Sequence, residues 1–136
     1  MSLPSTFPVR RLAVVLLLTL LILTIPPAWA GSSVAVATYE GVINPVTAEY
    51  LHDALAFAET VGAQALVVQL DTPGGLDTSM RLIIKDFTGS SLPVVVYVSP
   101  SGGRAASAGV FITLAAHLAA MAPGTNIGAA HPVAMG

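Results

Sequence analysis

The sequence predicts an α/β domain built from successive strand–helix units around a parallel sheet. Three aliphatic runs of strand length, Val34 to Thr38, Ala65 to Leu70 and Leu92 to Val98, alternate with segments long enough to form helices. The second and third runs each end abruptly in a glycine-rich turn, and strand, crossover helix and strand at these spacings form a βαβ pattern. Right-handed crossovers and ligand chemistry at the carboxyl ends of the strands follow from that pattern.

Val34 to Thr38 alternates apolar and small residues, and Gly41 breaks it. Asn44-Pro45 then opens a helix as N-cap and first-turn proline, with Leu51, Leu55, Ala58 and Val61 on one face and Gly62 closing it. After the strand Ala65 to Leu70, the run Asp71-Thr72-Pro73-Gly74-Gly75 is a turn. Asp77 or Thr78 caps a second helix, where Met80, Ile83, Ile84 and Phe87 fall at i, i+3, i+4 and i+7. Leu92 to Val98, with three consecutive valines, has the composition of a strand buried on both faces. Pro100 to Gly103 turns the chain into an apolar segment, Ala105 to Ala120, expected to be a helix buried all round. A short strand at Met121 to Ala122 precedes Pro123-Gly124.

Residues 1–30 stand apart from this pattern. Arg10 and Arg11 precede fourteen uncharged residues, Leu12 to Ile25, then Pro26-Pro27 and the small-x-small end Ala28-Trp29-Ala30. We read a signal peptide cleaved after Ala30, which places the rest outside the cytoplasm. The alternative is a retained anchor, against which stand the short apolar run and the proline pair, since a spanning helix needs roughly 20 apolar residues. Residues 31–136 form the domain proper.

Of the 136 residues, 54% are hydrophobic and 9% charged, with a formal charge of −2, which excludes a disordered chain. No cluster of Lys or Arg is available to neutralise a run of phosphates, so nucleic acid is not an expected partner. There are no cysteines, and the three histidines are too scattered for a metal site. No Asp, Glu, Lys or Arg follows Arg104, so residues 105–136 are expected to be buried in a core or an interface.

Two turns at carboxyl ends of neighbouring strands carry the candidate chemistry. Gly74 and Gly75 let the backbone approach a ligand and offer amides to a developing oxyanion, although a tight turn alone would also require them. In the second turn, Ser101 to Gly109 leads into the apolar helix with Ser107 near its amino terminus. There the helix dipole favours negative charge and small neighbours leave the hydroxyl accessible. The alternative is a helix cap in a small-residue packing seam. Arg104 beside it either binds a substrate carboxyl or pairs with an acid. Asp71 is expected to bond the amides of its own turn. Lys85 belongs to a solvated helix face, and His52 and His117 to packing or surface positions.

Asp71-Thr72-Pro73-Gly74-Gly75-Leu76, Pro93 to Pro100, Ser101 to Gly109, and Met121 to Val133 with its Gly128-Ala129-Ala130-His131-Pro132 run together resemble the NfeD-type membrane-bound serine proteases of the ClpP class. The resemblance covers roughly residues 34–136 and rests on several ordered motifs in one register. It implies a ClpP/crotonase-like stack of ββα units, incomplete at the C-terminus in this chain. It makes Ser107 the nucleophile and the Gly74 and Ala108 amides the oxyanion hole, with Gly75 and Arg104 on the substrate. The general base it implies is a lysine C-terminal to residue 136. His131, 24 residues after Ser107, is an alternative base, near where ClpP carries its histidine.

The expected function is therefore an exported serine endopeptidase, membrane-associated in its full-length form, that cleaves hydrophobic segments of membrane-associated proteins. No cofactor is expected. A stomatin-like membrane protein as substrate or partner, and a homodimer, are further implications of the resemblance. The rival readings are a catalytically silent ClpP-fold interaction module of a membrane complex and a crotonase-type acyl-CoA enzyme, the latter opposed by export. The 136-residue chain alone is expected to be poorly soluble and inactive.

Overall fold

Four parallel strands, β1 (Ala35–Glu40), β2 (Leu66–Asp71), β3 (Val94–Val98) and β5 (Leu118–Met121), form the main sheet in the order β1-β2-β3-β5 of the computed structural model. The structure describes residues 33–131 and the isolated Val14; residues 32–136 form one unit, distinct from residues 1–31. The signal peptide and its cleavage point lie outside the described residues, apart from Val14, which is helical and exposed.

Helix α1 (Pro45–Thr60) begins as its sequence dictates. The Asn44 side chain accepts the Thr47 amide at 3.0 Å, and Thr47 Oγ1 accepts the Asn44 amide at 3.2 Å, which satisfies two amides that a helix start leaves without partners. Gly62 ends the helix at φ +67°, as expected of a C-terminal glycine. Helix α2 (Asp77–Gly89) differs from expectation at its start. Leu76 occupies the N-cap, and no side chain caps it, because the Asp77 carboxylate turns to Arg81 Nε at 2.7 Å, one helical turn on.

Both helices cover one face of the sheet. Leu51, Leu55 and Ala58 of α1 and Met80, Ile83 and Phe87 of α2 pack with Leu66, Val68 and Leu70 of β2 and Val94, Val96 and Val98 of β3. Burying each of these larger side chains contributes on the order of 1.5–3 kcal/mol. The opposite face is only half closed: Val67, Val95 and Tyr97 are partly buried, and Val36 is 57% exposed. Leu92 to Val98 is thus not buried on both faces, because no helix of the described residues crosses to that side.

Residues 105–120 are likewise not one buried helix. They divide into β4 (Arg104–Ala106), the seven-residue α3 (Ala108–Leu114) and β5. Ile112 and Thr113 are buried, whereas Leu114 at the end of α3 is 71% exposed and Leu118, on the edge strand β5, 60%. His117 lies beyond the helix, its Nδ1 accepting the Val94 amide at 3.2 Å while its own amide donates to Val94 O.

A second, smaller layer is woven from the segments that follow each main strand. Ile43 bridges Gly75, Thr72 bridges Ala105, and β4 pairs in parallel with β6 (Asn126–Gly128). Strand, short second-layer segment and helix therefore recur three times, and a fourth unit supplies β5 and β6. This is the ββα repetition that the motifs implied.

Candidate active site

The second layer brings the two glycine-rich turns into contact. Thr72, fully buried, donates its amide to Arg104 O at 2.7 Å and accepts the Ala106 amide on its carbonyl at 3.0 Å. Its Oγ1 accepts the Gly74 amide at 3.0 Å and holds the Pro73-Gly74 turn from within. One residue thus braces both loops, the second through its backbone and its own turn through its hydroxyl, and the sequence reading assigned it no role. A threonine two residues before a Gly-Gly pair, able to bond its own turn, was the available signal.

Asp71 has a different task from the one expected. Its Oδ1 accepts the Arg104 amide at 2.9 Å, so it ties the second loop to the first, while Thr72 bonds the turn. The Arg104 side chain lies in a shallow depression with Glu40, Asp71 and Asn126, and it does not line the cleft that Ser107 lines.

Ser107 links β4 to α3 with φ 52° and ψ −114°, a conformation that costs a non-glycine residue about 1–3 kcal/mol. It is held there by its amide, which donates to Gly128 O at 2.9 Å, and by the buried Ala108 and Ile112 behind it. The hydroxyl does not cap the helix and makes no hydrogen bond among the described residues, which removes the capping explanation of this serine. Gly74 passes so close that a Cβ there would sit 2.6 Å from Ser107 Cβ. Only glycine permits the approach, and its φ of +112° demands glycine independently.

A cleft of about 830 Å³ opens over Ser107. Gly75 and Ala108 line it, as do Met80, Ile84 and Phe111, which give it an apolar wall. The amides of Gly75 and Ala108 have no partner among the described residues, in contrast to that of Gly74, which Thr72 occupies. The Gly74 amide, expected to serve an oxyanion, is thus already engaged by Thr72, and the Gly75 amide next to it is the one left open. His131 lines the same cleft, as do Arg81 and Lys85. Lys85 thus stands on the cleft rim rather than on a featureless solvated face, although it is exposed. The Arg81 guanidinium is held above its ordinary range by its hydrogen bond to Asp77 and by that carboxylate's charge. His52 is bonded through Nδ1 to Asp86 at 3.0 Å, away from this cleft. Among the described residues no group of His, Asp and Glu is placed to hold a metal, and no helix is long and apolar enough to cross a membrane.

An accessible, strained serine facing unpaired amides across two stacked parallel layers places the chain among the ClpP-like α/β folds. ClpP1 from Listeria monocytogenes, solved as a mutant, superposes with a TM-score of 0.56 at 26% identity, over 60% of this chain and 46% of that one. Residues 33–136 match the family described as NfeD1b, N-terminal domain, and the chain belongs to that family. It is 41% identical over 120 residues to the membrane-bound protease PH1510 of Pyrococcus horikoshii, covering 88% of this chain and 27% of the relative. Against the membrane protein NfeD1b of Bacillus subtilis it is 36% identical over 98 residues, or 72% of this chain and 22% of the relative. Two solved structures of 1510-N, described as a membrane-bound stomatin-specific protease, superpose with TM-scores of 0.75. One is a serine-to-alanine mutant, 42% identical over 76% of this chain and 50% of that one. The other is a lysine-to-alanine mutant in complex with a substrate peptide, 43% identical over 76% and 48%. The chain thus spans about a quarter of the curated relatives and about half of the solved ones.

Proposed function

We propose that this chain carries the nucleophile-bearing half of a serine endopeptidase domain that cuts hydrophobic segments of membrane-associated proteins. The observation that carries the reading is Ser107, held in a strained conformation with its hydroxyl free beside the unpaired amides of Gly75 and Ala108. Ser107 Oγ attacks the scissile carbonyl carbon while its proton passes to a general base. The carbonyl oxygen becomes an oxyanion, and fixed amide dipoles stabilise it without reorganising. Collapse breaks the C–N bond, the base returns the proton to the leaving amine, and water then hydrolyses the acyl-serine by the same steps in reverse.

The base is a lysine C-terminal to residue 136 in the polypeptide, a reading supported by the lysine mutant trapped with substrate peptide in the 1510-N relative. His131 is the second reading, favoured by its place on the same cleft as Ser107. A stomatin-like membrane protein is the substrate class, by analogy with what that relative is described as cutting. The apolar Met80, Ile84 and Phe111 wall suits such a segment. Residues 1–30 act as an export signal, the domain works outside the cytoplasm at a membrane, and the exposed Leu118 edge serves a homodimer.

Labelling with a fluorophosphonate, in a polypeptide that includes the proposed lysine, tests the reading. Ser107 is expected to be modified, and Ser107→Ala to abolish labelling. A Lys→Ala change at the downstream site removes reactivity if lysine is the base, and His131→Ala does so under the second reading. Absence of labelling in the wild type, with the fold intact, leaves the silent interaction module in its place.

A further inference from the structure

The described residues carry seven acids and only three bases, yet two of the three bases, Arg81 and Lys85, line the Ser107 cleft. Both project from α2, on the stripe Asp77, Arg81, Lys85 that runs along one side of it at i, i+4, i+8. Arg81 is committed to Asp77 through the 2.7 Å bond. Lys85 has no carboxylate partner among the described residues. Its sequence neighbour Asp86 is engaged by His52, in a neighbouring depression that Lys85 and Glu59 also border. The cleft is thus graded in charge: the neutralised Asp77–Arg81 pair stands towards the Gly75 end, and the Lys85 cation stands further out.

Resting on the reading of this cleft as a peptide-cutting site, we propose that Lys85 is a specificity-determining residue that selects an acidic side chain at one defined position of an otherwise apolar substrate. The register follows from geometry. Asp77 and Lys85 are eight residues apart on one helix, about 12 Å at the rise of an α-helix. An extended peptide advances about 3.3 Å per residue. For a peptide that runs along α2 with its scissile bond at the Gly75 end, a glutamate is therefore favoured about three or four residues from that bond.

The test is a fluorescence anisotropy titration of the chain in non-ionic detergent with labelled ten-residue Leu/Val peptides. A single Glu, Gln or Lys is stepped through each position of the peptide. At the Lys85 register the Glu peptide is expected to bind about two- to fivefold tighter than the Gln peptide, as a rim ion pair allows. The Lys peptide binds more weakly than either, and 0.5 M salt flattens the series. K85R keeps the preference, K85Q abolishes it and K85E inverts it. Equal affinities across the wild-type series, no binding at all, or a Glu preference that survives in K85Q and K85E overturns the proposal. Fluorophosphonate labelling of Ser107, in the polypeptide that includes the proposed lysine, reports separately on the protease reading: a Glu preference without labelling overturns that reading and leaves the charge-selecting cleft standing.

Discussion

Replacing Thr72 with valine removes one oxygen and almost no volume, so it isolates what the hydroxyl does. Thr72 is fully buried, and its Oγ1 accepts the Gly74 amide at 3.0 Å. In Thr72→Val that amide is left without a partner in a site closed to water, at a cost of about 1–3 kcal/mol. For a domain of this size each kcal/mol lowers Tm by roughly 4–8 °C. The valine keeps a methyl where Thr72 Cγ2 packs against Gly109, so the loss is not one of packing. Thr72→Ser is the complementary change, because it keeps the hydroxyl and removes the methyl, at a cost of about 1 kcal/mol. Thermal melts by circular dichroism measure both. If Thr72 positions the Gly75 amide, Ser107 labelling in the polypeptide that includes the base slows at least tenfold in Thr72→Val, a loss of about 1.4 kcal/mol of oxyanion stabilisation. Thr72→Ser retains near-normal labelling despite its lower Tm. A Thr72→Val variant that labels at the wild-type rate would refute the positioning argument, whatever its stability.

Three further outcomes follow from the same contacts. Gly109→Ala places a Cβ 2.5 Å from Thr72 Cγ2 in a buried seam, and is expected to destabilise by about 1–3 kcal/mol in a urea titration. Asp71→Ala frees the Arg104 amide, bonded at 2.9 Å, and should loosen the turn before β4, seen as faster hydrogen exchange at Arg104 with little change in Tm. Leu118→Lys puts a charge on the exposed edge strand, and the proposed homodimer should weaken in sedimentation velocity relative to the wild-type chain, because a charged edge resists pairing with another.

What the sequence made legible depended on how locally each feature is encoded. The Asn44-Pro45 start of α1 and the amphipathic stripe of α2 were readable, since capping and periodicity involve residues within a few positions of each other. So was the placement of Ser107 at a helix start beside small residues. Composition misled where it stood in for neighbours: the run of apolar residues after Arg104 reads as one buried helix, but its register is set by pairing Val95 with Leu118 and Ala106 with Gly128. Which of Gly74 and Gly75 keeps a free amide was illegible for a related reason. Two adjacent glycines look alike in sequence, and only the Thr72 hydroxyl determines which amide is spent on the turn. Asp71 likewise bonds a residue thirty-three positions away, a distance no local turn rule reaches.

The second layer also governs when the site can exist. Its rungs join Ile43 to Gly75, Thr72 to Ala105 and Ser107 to Gly128, each from a different repeat and each parallel, so none closes until the intervening helix has docked. Such non-local pairings form late, after their loop-closure entropy has been met. A nascent chain that has reached only Gly75 holds the first glycine turn but no serine beside it, and one that has reached Ser107 lacks the Gly128 carbonyl that seats the serine. Under the proposed protease reading, the serine is therefore seated no earlier than the fourth unit, and a half-made chain is spared from cutting its own exposed apolar segments. Pulse-labelled hydrogen exchange during refolding should accordingly find the Ser107 amide protected no earlier than the β2–β3 pairing of the main sheet.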